Sequence, residues 1–445
     1  VYMQILDTLK EAVSKTHIPD TKDKLGYTVI YPGDLGKWIK FAHPLRLEIA
    51  LTCRRNLGSF ADDQIRDVMS DENNTITSEG ESARVPYENV TNNQNPYYIR
   101  FKLNSYTGLP FPSMSEFLFV FFRSYEDPRL GAYFDSVPLR NRYVLTDTLA
   151  STQDDSLRAV SYPIPYFGRP QSPALLPGWT ALANQPNPLT GLSDTSYSRI
   201  KGYGYGAQND PMPANSLVAA NHSFTVMSYA QSEFLKAEAA QLDLGGSQSA
   251  EAYYNAGIAA NFAFWGLTAG QLNEYMQHDG IKWDTKGSGF YNYLGIVKAD
   301  IPQDNLSKIW IQSWLNFFPD QAFESWTLQR RTRVLDLPPL TNPGTSGYIS
   351  VPYMDIPGRT VYPANSQKLN PVGYADALKK LGVTSIDDLY PYITLHFALP
   401  FTVKDWNAAN ASYNTAYMQK WYGNTIQDLQ AAGVSYTVKS AFLPQ

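Results

Sequence analysis

Residues 227–244, MSYAQSEFLKAEAAQLDL, followed by residues 250–266, AEAYYNAGIAANFAFWG, decide the fold. In the first stretch Met227, Ala230, Phe234 and Ala237 recur at the 3.6-residue period of a helix, and in the second Tyr254, Ile258, Phe262 and Trp265 do the same. Two such helices in succession, with small residues where they would cross, are the unit from which a tetratricopeptide-like helical solenoid is stacked. No clean repeat of about 34 residues is visible, so the repeat is degenerate. The spacing predicts an all-α chain.

Working outward, the same period returns on both sides. Toward the C-terminus it predicts helices over 268–278, 303–318 and 321–331, the second carrying Ile309, Trp310, Trp314, Phe317 and Phe318 as its stripe. Toward the N-terminus it predicts a helix through Tyr2, Ile5, Leu6, Leu9, Ala12 and Val13, a second over 35–54 that Pro44 should kink or divide, and a third over 60–70. The helix at 226–242 belongs to the central pair. Between 71 and 222 the chain changes character, to long connections rich in Asn, Pro, Gly, Ser and Tyr broken by one helix at 113–125; irregular excursions of this length normally exist for function. The organisation expected is a single domain over 1–445, with helical repeats at 1–70 and 223–335, a loop-rich ligand-binding region at 71–222, and an extended segment and tail at 336–445 that includes a small helix at 372–381. The chain opens in mid-pattern at Val1, so an N-terminal part is expected to precede it.

Composition excludes several classes. A net charge of −5 offers no electrostatic funnel for nucleic acid. The single Cys53 makes neither an internal disulfide nor a thiolate zinc site, and reads as an inert thiol on a helix. No stretch approaches the ~20 apolar residues that span a bilayer; the run FLFVFF at 117–122 is closed on both sides by charge. Aromatic residues make up 14% of the chain, with 31 Tyr, more than a core absorbs easily while satisfying every hydroxyl, so some belong on the surface.

Several stretches, in order along the chain, carry a family resemblance: KWIKFAHPLRLEIAL at 37–51, EDPRLGAYF at 126–134, the two central helices with their AEA and GIxAxxxxWG patterns, FESWTLQRRT at 323–332, and IPGRTVYPANSQKLNP at 356–371. Together they resemble the SusD/RagB family, in particular its SusD-like 2 group. The resemblance implies a helical solenoid decorated by long loops, and a lipid-anchored protein on the extracellular face of a Bacteroidota outer membrane. It also implies a SusC-like TonB-dependent transporter as partner, onto which the protein closes as a lid to deliver a captured oligosaccharide or peptide. Three features depart from the pattern: the lipidated Cys expected near the mature N-terminus is not in this sequence, so the anchor is an inference from the resemblance; the tail from about Thr384 does not follow the usual ending; and Gln231 replaces the usual Glu and reads as a change to one helix-surface hydrogen bond.

Catalytic equipment is sparse. His17, His43, His222, His278 and His396 lack metal-ligand spacing, and neither a nucleophile elbow nor a P-loop occurs. Adjacent acids such as Asp62 and Asp63 are not the facing pair, about 5–9 Å apart, that glycoside hydrolysis needs. The glycines at 202, 204 and 206 lack the nucleotide-loop spacing and read as a mobile loop. No cofactor, metal or catalytic residue is therefore expected. Sugar binding, by contrast, needs exposed rings beside planar hydrogen-bonding groups, which loops display best. The candidates are Asn93, Asn95, Tyr97, Tyr98 and Arg100; Tyr166, Trp179, Tyr197, Tyr203 and Tyr205; and Trp283, Tyr291 and Tyr293. Any single one of them can instead pin a loop to the frame. Trp38, Trp265, Trp310, Trp314 and Trp326 fall on helical stripes and read as core, and Arg330 and Arg331 as partners of a helix end or an ion pair. An α-helical glycoside hydrolase and a helical-repeat protein scaffold stand as the alternatives to a surface solute binder.

Overall fold

A computed structural model describes residues 1–16, 28–103, 113–136, 166, 198–203, 216–287, 304–335 and 365–380. Its elements are mostly helical. Three helices open the chain, α1 (Tyr2–Lys15), α2 (Leu35–Leu57) and α3 (Ser59–Ser70), then strand β1 (Ala83–Val85), a single turn α4 (Pro96–Tyr98), α5 (Glu116–Ser124) and α6 (Arg129–Tyr133). Strand β2 (Phe224–Met227) leads into α7 (Tyr229–Gln241), α8 (Ala250–Phe264), α9 (Ala269–Tyr275), α10 (Asn305–Asn316) and α11 (Ala322–Thr332). Two short helices, α12 (Ser366–Leu369) and α13 (Pro371–Lys380), follow.

Side-chain caps set the helix starts. Asp34, Ser228, Ser249 and Asp304 each accept a backbone N–H from the first turn of α2, α7, α8 and α10, which satisfies donors a helix leaves orphaned. Thr268 and Gln271 form a reciprocal capping box on α9, the Thr268 hydroxyl accepting from the Gln271 amide at 3.2 Å and Gln271 Oε1 from the Thr268 amide at 2.9 Å. Pro44 neither ends nor divides α2, which runs on to Leu57. At the other end of the central pair, residues 226–227 are strand rather than helix: β2 pairs antiparallel with β1, with Ala83 opposite Met227 and an irregularity between Ala83 and Arg84.

The central helix α7 packs on α8, α10, α2 and α3. Gly257 makes the α7–α8 approach possible, because a Cβ there would lie 2.5 Å from the Phe234 ring. Burial runs nearly all the way round α7, from Ala230 to Ala239, and Gln231, Glu233, Lys236 and Glu238 find partners inside the protein, whereas the Ser232 hydroxyl has none among the described residues. Glu233 and Lys236 pair at 2.6 Å. Glu238 pairs with Arg331 of α11, in agreement with an ion-pair role for that arginine.

Gln231 is not on a helix surface. It is buried, donates to Glu48 of α2 at 2.9 Å and accepts from Gln321 at 2.9 Å. Burial and the neighbouring Glu324 push Glu48 up to about 8. An uncharged Gln at 231 spares this group a further carboxylate.

Trp265, Trp310 and Trp314 pack against the main core, and Trp38 against a smaller cluster around Tyr31 and Met227. Trp326 is half-buried, with the ring of Phe323, a residue 66% exposed, 5.1 Å away and the guanidinium of Arg330 4.3 Å from its own ring centroid.

Candidate ligand-binding cleft

One buried knot orients the wall of a cleft. In the sequence EDPRLGAYF, Asp127 and Arg129 form a fully buried ion pair, with Arg129 Nη2 to Asp127 Oδ2 at 2.6 Å and Nε to Oδ1 at 2.9 Å. The same guanidinium donates to Asn261 of α8 at 3.1 Å, to the Tyr275 hydroxyl of α9 at 2.9 Å and to Gln312 of α10 at 3.0 Å. Burial works against its charge, but Asp127, Tyr275 and Tyr133 together outweigh it and hold Arg129 above the ordinary arginine value. This short helix is thereby keyed to three others. Tyr133 at its end stacks on Phe318 with ring centroids 4.5 Å apart, contacts Trp265 at 4.5 Å and donates to the Leu315 carbonyl at 3.0 Å.

Against that wall lies a cleft of about 700 Å³. Gly131 and Ala132 of α6 form one side, and the segment 216–223 before β2 forms another. Phe264 and Trp265, where α8 ends, supply rings; Arg84, Lys201, Asn221, His222 and Gln271 supply planar or charged polar groups. Phe264 is 39% exposed, and the Arg84 guanidinium carbon lies 4.4 Å from its ring centroid.

Lys201 is fixed by backbone hydrogen bonds: its N–H donates to Tyr133 O at 2.9 Å and its carbonyl accepts from Leu217 at 3.0 Å. Gly202 beside it is a packed junction. Its φ of +76° and a Cα over which Ser216 passes, 2.4 Å from where a Cβ would sit, admit only glycine. Gly204 and Gly206 lie outside the described residues.

The polar groups near Arg84 are incompletely matched. Arg84 Nη1 pairs with Glu79, whereas its Nε and Nη2, His222 Nε2 and Asp320 Oδ1 are buried with no hydrogen-bond partner among the described residues. Burial, then the charge of Arg84, lowers His222 below the ordinary histidine value. Asp320 accepts the Thr225 amide at 2.8 Å, yet burial pushes its carboxyl up to about 6.

The rings and amides singled out from sequence fall around this cleft more than in it. Asn95 is fully buried; its side chain caps α4 by accepting from Tyr97 N at 2.7 Å and donates to His222 O at 2.7 Å. Tyr97 and Tyr203 share a cluster with Leu217 and Trp265, two cleft-lining residues, and so stand behind its floor. Their hydroxyls donate to Pro319 O at 3.2 Å and to Phe101 O at 3.3 Å. The Tyr166 hydroxyl lies 3.1 Å from where a Cβ on Gly131 would be, against the cleft wall. Asn93 and Arg100 are exposed, and Tyr98 is half-buried. Trp283 packs on Tyr254, its ring 5.3 Å away. Trp179, Tyr197, Tyr205, Tyr291 and Tyr293 lie outside the described residues.

Sequence reasoning missed Arg84, Lys201, Asn221, Phe264 and Gln271. Only Phe264 left a signal. It is an aromatic residue off the Tyr254–Ile258–Phe262–Trp265 stripe, at the last turn of a helix whose core face is already occupied. Among the described residues no group of three or more His, Cys, Asp or Glu is placed to hold a metal ion, and no helix is long and apolar enough to cross a membrane.

A helical frame presenting an exposed ring beside planar polar groups in a cleft is the architecture of a binding protein. The chain belongs to the SusD-like 2 family, described as starch-binding associating with outer membrane, whose pattern it matches over residues 1–147 and 185–363. It is thus a member of a family of binding proteins associated with the outer membrane. No curated protein matches it in sequence.

Among solved structures, it resembles a susD homolog from Bacteroides thetaiotaomicron, with 20% identity, TM-score 0.58, and 85% of this chain and 69% of that one covered. It also resembles a chitin-binding SusD homolog from Flavobacterium johnsoniae, at 18% identity and TM-score 0.58, covering 90% and 73%. A SusD homolog from Bacteroides uniformis gives 17%, 0.59, 85% and 69%. Likeness at these identities establishes the shared fold.

Proposed function

We propose that this protein is a cell-surface, lipid-anchored glycan receptor that captures an oligosaccharide in the cleft at Phe264 and closes over a SusC-like TonB-dependent transporter to deliver it. The observation that carries the reading is the ring of Phe264, left 39% exposed at the end of a core helix, with Arg84, Asn221 and Gln271 lining the same cleft. An aromatic face covers the C–H side of a pyranose while amides meet its hydroxyls. The family description as starch-binding and a chitin-binding structural neighbour favour a glycan as the solute.

The full chain, screened on a glycan array and followed by calorimetry on the best oligosaccharide, is expected to bind without releasing reducing ends. Phe264→Ala is expected to weaken that binding by about 1–3 kcal/mol. Unchanged affinity in this variant removes the cleft as the site, and turnover of the glycan overturns the receptor role. In intact cells the protein is expected to fractionate with the outer membrane and to be cut by added protease. Resistance in whole cells but not in lysates argues against an outward-facing position.

A further inference from the structure

Resting on the glycan reading of the Phe264 cleft, the charge pattern of its walls narrows the class of sugar. Arg84 and Lys201 both line the cleft and, among the described residues, no carboxylate does. Glu79 and Asp135, the acids that pair with these cations, are not part of the lining; Asp135 stands 3.7 Å from Lys201 Nζ. The chain as a whole carries a net charge of −5, so two cations on one cleft run against its overall sign.

Hydrogen-bond chemistry points the same way. Guanidinium and ammonium groups donate and cannot accept, whereas hydroxyls of a neutral sugar must also donate, and their strongest acceptors are carboxylates. A wall that offers donors, amides and no carboxylate leaves part of a neutral glycan's hydroxyl set without ionic acceptors. A ligand carrying its own anionic oxygens is matched by it. Phe264 meanwhile offers its ring, one face of which bears the Arg84 guanidinium at 4.4 Å.

We propose that the cleft selects an anionic oligosaccharide, a uronic-acid or sulfated glycan whose acidic group sits at Lys201 while a neighbouring sugar ring packs at Phe264. Carboxylate and sulfate present the same chemistry to these side chains, and separate probes distinguish them.

The test is calorimetry on the full chain, as wild type, Lys201→Met and Phe264→Ala, with circular dichroism to confirm that each variant is folded. The probes are tetragalacturonate, its methyl ester, a chondroitin sulfate tetrasaccharide, maltohexaose and chitohexaose, each at low and at near-physiological salt. Tetragalacturonate or the sulfated probe is expected to bind at least about tenfold more tightly than the neutral glycans, with affinity falling as salt is raised. If tetragalacturonate is the ligand, methyl esterification is expected to remove the preference. Lys201→Met is expected to lose about tenfold for the acid and little for neutral probes.

Maltohexaose or chitohexaose binding more tightly, weakened by Phe264→Ala and indifferent to Lys201→Met, overturns the anionic selectivity and leaves the cleft as a glycan site. A preference for the acid that survives Lys201→Met overturns the seat assigned to its charge. Binding of no probe, or binding that neither variant alters, removes the site and the selectivity together.

Discussion

Two arginines that serve the same cleft wall are treated in opposite ways. Arg129 is fully buried, and its donors meet Asp127, Asn261, Tyr275 and Gln312. Arg84, on the strand at the cleft, has Glu79 on one nitrogen, the Phe264 ring against its face, and two nitrogens buried with no partner among the described residues. A closed network specifies how elements pack, because any other arrangement strands a charge. An open one costs stability and persists where the protein meets something else, which is why departures from full polar matching gather at functional positions. Among the described residues unmatched atoms also occur in the frame, at Arg46 Nε and Ser232 Oγ, but of these two arginines it is Arg84 that carries them, at the cleft.

The sharpest way to break the comparison is Arg129→Met. It leaves Asp127 buried without its counter-ion and removes one link each to α8, α9 and α10, so a loss of about 3–5 kcal/mol is expected in urea denaturation. A loss under about 1 kcal/mol would show that the knot does not organise the core. Next in size is Gly202→Ala, where a positive φ and the overlap with Ser216 combine. About 3 kcal/mol of destabilisation is expected by thermal or chemical unfolding. A neutral result would mean that the Gly202–Ser216 junction yields freely.

A smaller effect probes the open side. Burial raises the Asp320 carboxyl from its ordinary 3.8 to about 6, so the folded protein holds that proton over a range in which the unfolded chain has released it. Its contribution therefore makes stability fall as pH rises from about 4 to 6, with no further change above. Asp320→Asn keeps an oxygen for the Thr225 amide and removes this slope, with a gain of roughly 1–3 kcal/mol near pH 7. Stability curves of wild type and variant that run parallel across that interval would contradict the assignment.

The helical frame was legible because its information is local. Apolar residues at a 3.6-residue period and caps such as Thr268 with Gln271 lie within a few positions of one another, and the expected helices at 35–54, 60–70, 250–265, 303–318 and 321–331 match the observed ones to within a turn at each end. Misreadings arose where tertiary neighbours overrode that pattern. The 3.6-residue pattern extends the helix to 226–227, which are strand because the partner strand lies near Ala83, far away in sequence. A period cannot reveal that α7 is covered by four other helices, nor that Gln231 meets Glu48 of α2 and Gln321 at the start of α11.

The cleft was scarcely legible at all. Arg84, Lys201, Asn221, Phe264 and Gln271 come from a strand, two connections and two helices, and no spacing relates them. Asn95, Tyr97 and Tyr203 were recognised as notable, and the structure shows their polar groups engaged with backbone at the cleft's back. Residue type alone does not distinguish a ring that grips a solute from one that anchors a loop.

By itself the sequence determined the helical class, the order of the helices and, through shared motifs, the family. Those depend on hydrogen bonds and apolar contacts between residues only a few positions apart. Tertiary structure alone decided which polar groups are closed into Arg129's knot and which are left at Arg84's cleft. Whether a buried donor finds an acceptor depends on chain segments brought together from well beyond the reach of any local pattern, as Arg129 and Gln312, 183 residues apart, show.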